Sequence, residues 1–144
     1  MAHWFDEHIH WPLAMSPSRL DHITVTAGSL EAGSALVSQV LGVAPQPGGE
    51  HPRMATHNLL LRLGDALFLE VIAVNRSVPP PARPRWFALD HLTPESPPRL
   101  STWVVRTTDI RTVSGAASEP MGPVEPMHRG ALNWLITIPE DGSV

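Results

Sequence analysis

The chain has 144 residues, no cysteine and a formal charge of −4, and its ten basic side chains are all arginine, scattered without a basic run. This length fits one domain, or two small modules sharing a core, without disulfide support. Thiolate chemistry is excluded. Nucleic acid has no basic patch to hold it, no apolar stretch reaches membrane-span length, and a basic-then-apolar leader is missing, so a cytoplasmic protein is expected with neither nucleic acid nor membrane as a partner.

Residues 1–18, MAHWFDEHIHWPLAMSPS, are rich in His and Trp without a clear period and read as an N-terminal extension. His8 and His10, two apart, would share one face of a strand and are able to bind a metal there; the plainer reading is an extension or an added tail. From Leu20 a strand begins in which Leu20, His22, Thr24 and Thr26 alternate with Asp21, Ile23 and Val25, placing His22 on a mainly polar face. Ser29 is an N-cap for a helix with Glu31 in its first turn, an apolar stripe through Leu30, Leu36, Val37, Val40 and Leu41, and Gly42 as its stop. After a connecting stretch, VAPQPGGEHP, strands are expected at 57–63 and 66–74, joined through Gly64 and Asp65 as a hairpin. In the second of these, Phe68, Glu70 and Ile72 share a face. A carboxylate in so apolar a strand needs a partner, because burying it unpaired costs several kcal/mol, on the order of what pairing or metal binding avoids.

Residues 75–99 hold seven of the sixteen prolines and read as a linker. Beyond it the first strand is repeated at an offset of 80 residues. Leu100, Thr102, Val104 and Arg106 stand where Leu20, His22, Thr24 and Thr26 stood, and Asp109-Ile110 replaces Ser29-Leu30. A short helix over about 109–117 follows, then strands PVEPM and ALNWLITI around a turn, HRG. The chain stops where the copy of 66–74 is due, leaving an exposed apolar edge, so the expectation is either a longer natural chain or a second subunit over that edge, that is, a homodimer.

Two βαβββ modules with His on the first strand and Glu on the last strand of module one resemble the vicinal oxygen chelate superfamily, the glyoxalase, bleomycin-resistance and extradiol-dioxygenase group. The stretch from LDHITV to FLEVIAV is similar to the glyoxalase-like domain branch, with its LDH strand and the GG-x-HP-x-M-x-T-x-N and LG-x-x-x-FLE segments. The resemblance covers about residues 19–144. It implies an α+β fold, two βαβββ modules forming a curved mixed sheet around a cavity, with the first module at 19–74 and a second, at 100–144, lacking its last strand. In metal-dependent members the ligands come from the first and last strand of each module. By position, module one offers His22 and Glu70, module two only Thr102, a poor ligand.

Two readings of this pair stand side by side. In one, His22 and Glu70 are half of a Zn, Fe, Mn or Ni site at which a divalent metal binds vicinal oxygens of a small-molecule ligand, with Glu70 also catalytic in a lyase, isomerase or dioxygenase. His51, His57 and Glu50 are its further candidate ligands. In the other, the two residues hydrogen-bond each other and the cavity sequesters a ligand without metal, as bleomycin-resistance proteins do. Thr24, His57, Asn58, Arg62, Phe68 and Thr102 are the expected substrate-binding residues under either reading, with His57 one residue out of phase with Asn58. Trp103 is expected to pack in the core, Trp134 or Asn133 to reach the cavity, and His128 and Arg129 to sit in a solvated turn.

Overall fold

The computed structural model describes residues 18–143. The extension with His8 and His10 therefore lies outside the described residues, apart from Ser18.

Strand β1 (Arg19–Thr26) runs into helix α1 (Leu30–Leu41) through the cap expected from the sequence: the Ser29 hydroxyl accepts the Ala32 N–H at 3.2 Å. Gly42 ends the helix in the left-handed conformation at φ 71°, giving its N–H to the Ser38 carbonyl. Strands β2 (Gln46–His51), β3 (Thr56–Arg62) and β4 (Phe68–Val74) complete the first module. The second contributes β5 (Arg99–Arg106), the short helix α2 (Ile110–Gly115) and a hairpin of β6 (Val124–Arg129) and β7 (Leu132–Thr137).

Five strands form one mixed sheet in the order β2-β3-β4-β1-β5, with β4 parallel to β1 and the other neighbours antiparallel, while β6 and β7 form a separate two-stranded sheet. The fold is thus α+β, built from two βαβ-type modules, and among the described residues the second lacks a counterpart of β4. In module one that strand joins β1 to β3; without it, β5 has a single neighbour and the β6–β7 hairpin stands apart from the main sheet.

Local structure departs from expectation at three places. The stretch read as a connection contains β2, whose Pro47, Gly48 and Gly49 hide it from a propensity reading; such residues are tolerated because β2 is an edge strand, and the register shifts between Pro47 and Glu50. The hairpin between β3 and β4 turns over 63–67 rather than at two residues, closed by Leu63 and Gly64 N–H groups on the Leu67 carbonyl. Within the Pro-rich stretch lies a 3-10 segment, Trp86–His91, which buries Trp86 and Leu89.

Each side of the sheet has its own core. On one, α1 packs through Val37 against Val25, Leu69 and Val71, and lies close because the absent side chain of Gly33 makes room for Val71. On the other, Met54 and Ile72 pack with Trp86, Leu89, Met127 and Ile138, so the Pro-rich segment and the end of module two cover part of the face opposite the helix. No helix among the described residues is long and apolar enough to cross a membrane.

Candidate functional site

His22, Thr24 and Thr26 are directly beside Phe68, Glu70 and Ile72 in the parallel β1–β4 pair, and Asn58 lies opposite Ile72 in the antiparallel β3–β4 pair. Side chains paired in this way share a face, and that face is the one turned away from α1. The pattern of period two read from the sequence therefore brings His22, Glu70, Asn58, Phe68 and Thr24 together.

A local irregularity adds a residue that alternation would send to the other side. In the β1–β5 ladder Leu20 pairs with Val105 and His22 with Val104, so Asp21 is an extra residue in β1, a bulge. Its carboxylate accepts the His22 Nδ1–H at 2.8 Å and forms an ion pair with the Arg106 Nε at 3.0 Å. On the other edge of the imidazole, Nε2 faces Glu70 Oε2 at 3.4 Å. The second Glu70 oxygen accepts from Asn58 Nδ2 at 2.5 Å, and Asn58 Oδ1 in turn accepts the Gly49 N–H at 2.8 Å. This last contact requires Gly48: a Cβ there would run into the Asn58 carboxamide oxygen. A polar chain thus crosses the whole sheet from β5 to β2, and Phe68 stacks on His22 with ring centres 4.7 Å apart.

Charge follows from this arrangement. Burial disfavours the imidazolium, yet hydrogen bonds and charges from Glu70 and Asp21 outweigh it and hold the His22 pKa above its usual value. Burial likewise disfavours the Glu70 carboxylate, and its hydrogen bonds to His22 and Asn58, with a Coulombic contribution from His51, bring its pKa below the usual carboxylate value. Both shifts favour the ionised pair, in which the two ring nitrogens of the imidazolium are donors.

The remaining candidates are placed less centrally. Thr24 is fully buried and its hydroxyl has no partner among the described protein atoms. Thr102 lies beside Thr24 and turns its hydroxyl to its own strand, 3.4 Å from the Trp103 carbonyl. Arg62 is tied to the turn by Asp65 at 2.7 Å and the Gly64 carbonyl at 2.9 Å. His57, opposite Ala73 and Glu50, lies on the far face of the sheet from Glu70, and Glu50 lies there with it. His51 is on the near face, with Nδ1 3.0 Å from Thr56 Oγ1. Trp103 points to the helix side and is 64 % exposed rather than packed in the core as expected; α2 buries no residue. Asn133 bonds the Ala131 carbonyl in its own hairpin, Trp134 is exposed, and His128 is exposed on β6 rather than in the turn. Sequence reading missed Asp21, Arg106 and the glycine pair as parts of the cluster; the only local signals were the acid preceding His22 and the Gly48-Gly49 step.

An opening lies to one side of this cluster. It is a cleft of about 330 Å³ at the β2 margin, lined by His51, Thr56, Asn75 and the Pro79–Pro81 wall.

His22 Nε2 and Glu70 Oε2 are spaced as two ligands of one ion would be, but a catalytic centre takes three protein donors, and no group of three His, Cys, Asp or Glu able to hold an ion occurs among the described residues. The donor set does not fit a complete site.

The paired βαβ-type modules, with a His and a Glu facing each other from the first and last strands of module one, define a member of the vicinal oxygen chelate superfamily. More narrowly, the chain belongs to the glyoxalase-like domain family, whose model matches residues 20–144. Searches of curated proteins and of solved structures found no significant match.

Proposed function

We propose that this protein binds a small organic molecule on the sheet face that carries His22 and Glu70 and sequesters it without metal chemistry, in the manner of bleomycin-resistance proteins. One observation supports this above the others: the cluster is complete without an ion. Each ring nitrogen of His22 faces a carboxylate, and the free side of Glu70 is occupied by Asn58. Bringing a cation to the pair would require loss of the Nε2 proton and separation of an ion pair.

The competing reading, a lyase or dioxygenase half-site, is favoured by one feature. A carboxylate behind the imidazole, as Asp21 is here, is the usual support of a metal-bound histidine. Elemental mass spectrometry of the purified protein, beside a His22→Ala/Glu70→Ala variant, decides between them. Metal below a tenth of an equivalent after loading with Zn, Fe(II), Mn or Ni supports sequestration. Near-stoichiometric metal that disappears in the variant overturns it.

The working unit in this proposal is a homodimer joined at β5. The two edges of the main sheet differ in kind. β2 is guarded by Pro47, Gly48, Gly49, Glu50 and a register shift, whereas Leu100–Val105 of β5 carries no proline, glycine or charge and exposes Leu100 and Trp103. A two-fold pairing of β5 edges would leave only guarded β2 edges of the main sheet outward, so association through that sheet would close at two copies.

A further inference from the structure

Trp86 lies on the same side of the sheet as the His22–Glu70 cluster, packed with Met54, Ile72, Leu89, Met127 and Ile138 and edge-on to His51 at 5.3 Å. It differs from an ordinary core tryptophan in how it is held. Its indole N–H is buried and has no acceptor among the described protein atoms, and on the same side of the sheet the buried hydroxyls of Thr24 and Thr26 have no partner either. Buried donors and acceptors are seldom left unmatched. Here a donor on the covering segment and two hydroxyls of β1, that of Thr26 beside Ile72 of the same core, all remain unused.

The segment is also strained. Phe87 and Ala88, the two residues after Trp86, both adopt left-handed backbone, at φ 58° and 53°. Glycine or asparagine is the ordinary occupant of such positions, and two in succession without either is a cost that the rest of the segment must overcome. Its polar contacts are few. The Arg85 side chain is ion-paired with Asp90, Asp90 Oδ2 accepts the Arg85 N–H at 2.7 Å, and the Ala88 N–H is given to the Gly142 carbonyl at 2.8 Å. Among the described residues no hydrogen bond ties Trp86–His91 to β1, β3 or β4. The segment is braced by its own Arg85–Asp90 pair and by the single Ala88 bond to Gly142, and it meets β4 through the packing of Trp86 and Leu89 on Ile72.

We propose that residues 85–91 are a displaceable plug, and that Trp86 occupies in the closed protein the place of a planar aromatic ligand with hydrogen-bonding groups on its edge. The inference rests on the ligand-binding reading given above and names the ligand class for it. The space is the size of a bicyclic ring system. Thr24 and Thr26 supply hydroxyls for the polar edge, His51 supplies a ring edge, and Met54 and Met127 provide adaptable thioether walls. When the plug leaves, Phe87 and Ala88 are released from their left-handed conformations, which offsets part of the cost of exposing Trp86. The ligand then gains the hydrogen bonds that the indole never makes.

Indole itself is the probe. Calorimetric titration should show it binding Trp86→Ala, which leaves a cavity of its shape, and binding wild type more weakly because the plug must first open. Hydrogen exchange across 84–92 in wild type should quicken by about tenfold or more when indole is bound, as a segment released from apolar packing does. Ala88→Gly favours the closed plug and should weaken indole binding to the otherwise wild-type protein by about fivefold, the size of relieving one left-handed alanine. This arm decides the matter if Trp86→Ala does not fold. Unchanged or slower exchange at 84–92 in the indole complex, equal affinity of Ala88→Gly and wild type, or no indole binding by either protein overturns the proposal. Metal at His22 and Glu70 would remove the sequestration reading while leaving these readouts intact, so the two failures are distinguishable.

Discussion

Glu70 Oε2 stands 3.4 Å from His22 Nε2, across the one parallel strand pair of the sheet. Both groups are largely buried, and each is held by a further partner: Asp21 behind the imidazole and Asn58 behind the carboxylate. Removing one member of such a pair leaves the other charge in a poorly solvated place, and this commonly destabilises a protein by about 3 kcal/mol or more. His22→Ala is expected to do so, with a smaller loss for His22→Gln, which retains one donor. Chemical denaturation monitored by circular dichroism measures both; losses below about 1 kcal/mol would mean that the pair contributes little.

The pH dependence of stability follows from the same pair. The His22 pKa is raised in the folded protein above its ordinary 6.5, so its contribution is complete below that value and is lost as pH rises through the folded pKa. The Glu70 pKa is lowered from 4.5, so its contribution is complete above that value and is lost as pH falls through the folded pKa. The difference in Tm between wild type and a His22→Ala/Glu70→Ala variant should therefore be largest between 4.5 and 6.5 and shrink on both sides. A flat difference from pH 4 to pH 9 would show that the pair is not charged in the folded state.

Asn58 joins the carboxylate to the edge strand. Asn58→Ala unmakes two hydrogen bonds, one to a buried carboxylate and one from the partly buried Gly49 amide, and should cost about 2–3 kcal/mol. NMR titration should also find the Glu70 pKa higher in this variant, since a hydrogen bond to its ionised form is gone. An unmoved Glu70 titration would argue that the Asn58 contact is incidental.

Two glycine substitutions separate packing from conformational freedom. A Cβ at Gly48 would collide with the Asn58 oxygen, whereas one at Gly64 meets nothing within 4 Å. Gly48→Ala is expected to destabilise the protein by about 1–3 kcal/mol, typical of overpacking, and Gly64→Ala to leave it within about 0.5 kcal/mol. Equal melting curves for the two variants would contradict the tight approach of β2 to Asn58.

Light scattering after size-exclusion chromatography tests the β5 edge. Wild type should run as a dimer and Trp103→Lys, which puts a charge among the exposed side chains of β5, as a monomer with unchanged circular dichroism. A wild-type monomer at high micromolar concentration removes the dimer from the proposed function.

Much of this architecture was legible because its signals are local. The alternation in β1 and β4 gives the faces of His22, Glu70 and Phe68, and Ser29 and Gly42 bracket α1 within a residue. The repeat of strand one at Leu100 announces a second module. Where the reading fell short, the deciding interaction lay between distant segments. Asp21 joins His22 only because β1 bulges against β5, and a bulge is a property of two strands in register, invisible in either one. β2 forms from residues that disfavour strands because β3 offers it a ladder at the sheet margin, where Pro47 lacks no needed donor. Period and capping, set by neighbours a few residues apart, determine which side chains share a face. Which segment covers that face, here Trp86 from a proline-rich stretch that reads as a linker, is decided only when tertiary packing finds an apolar surface for it to bury.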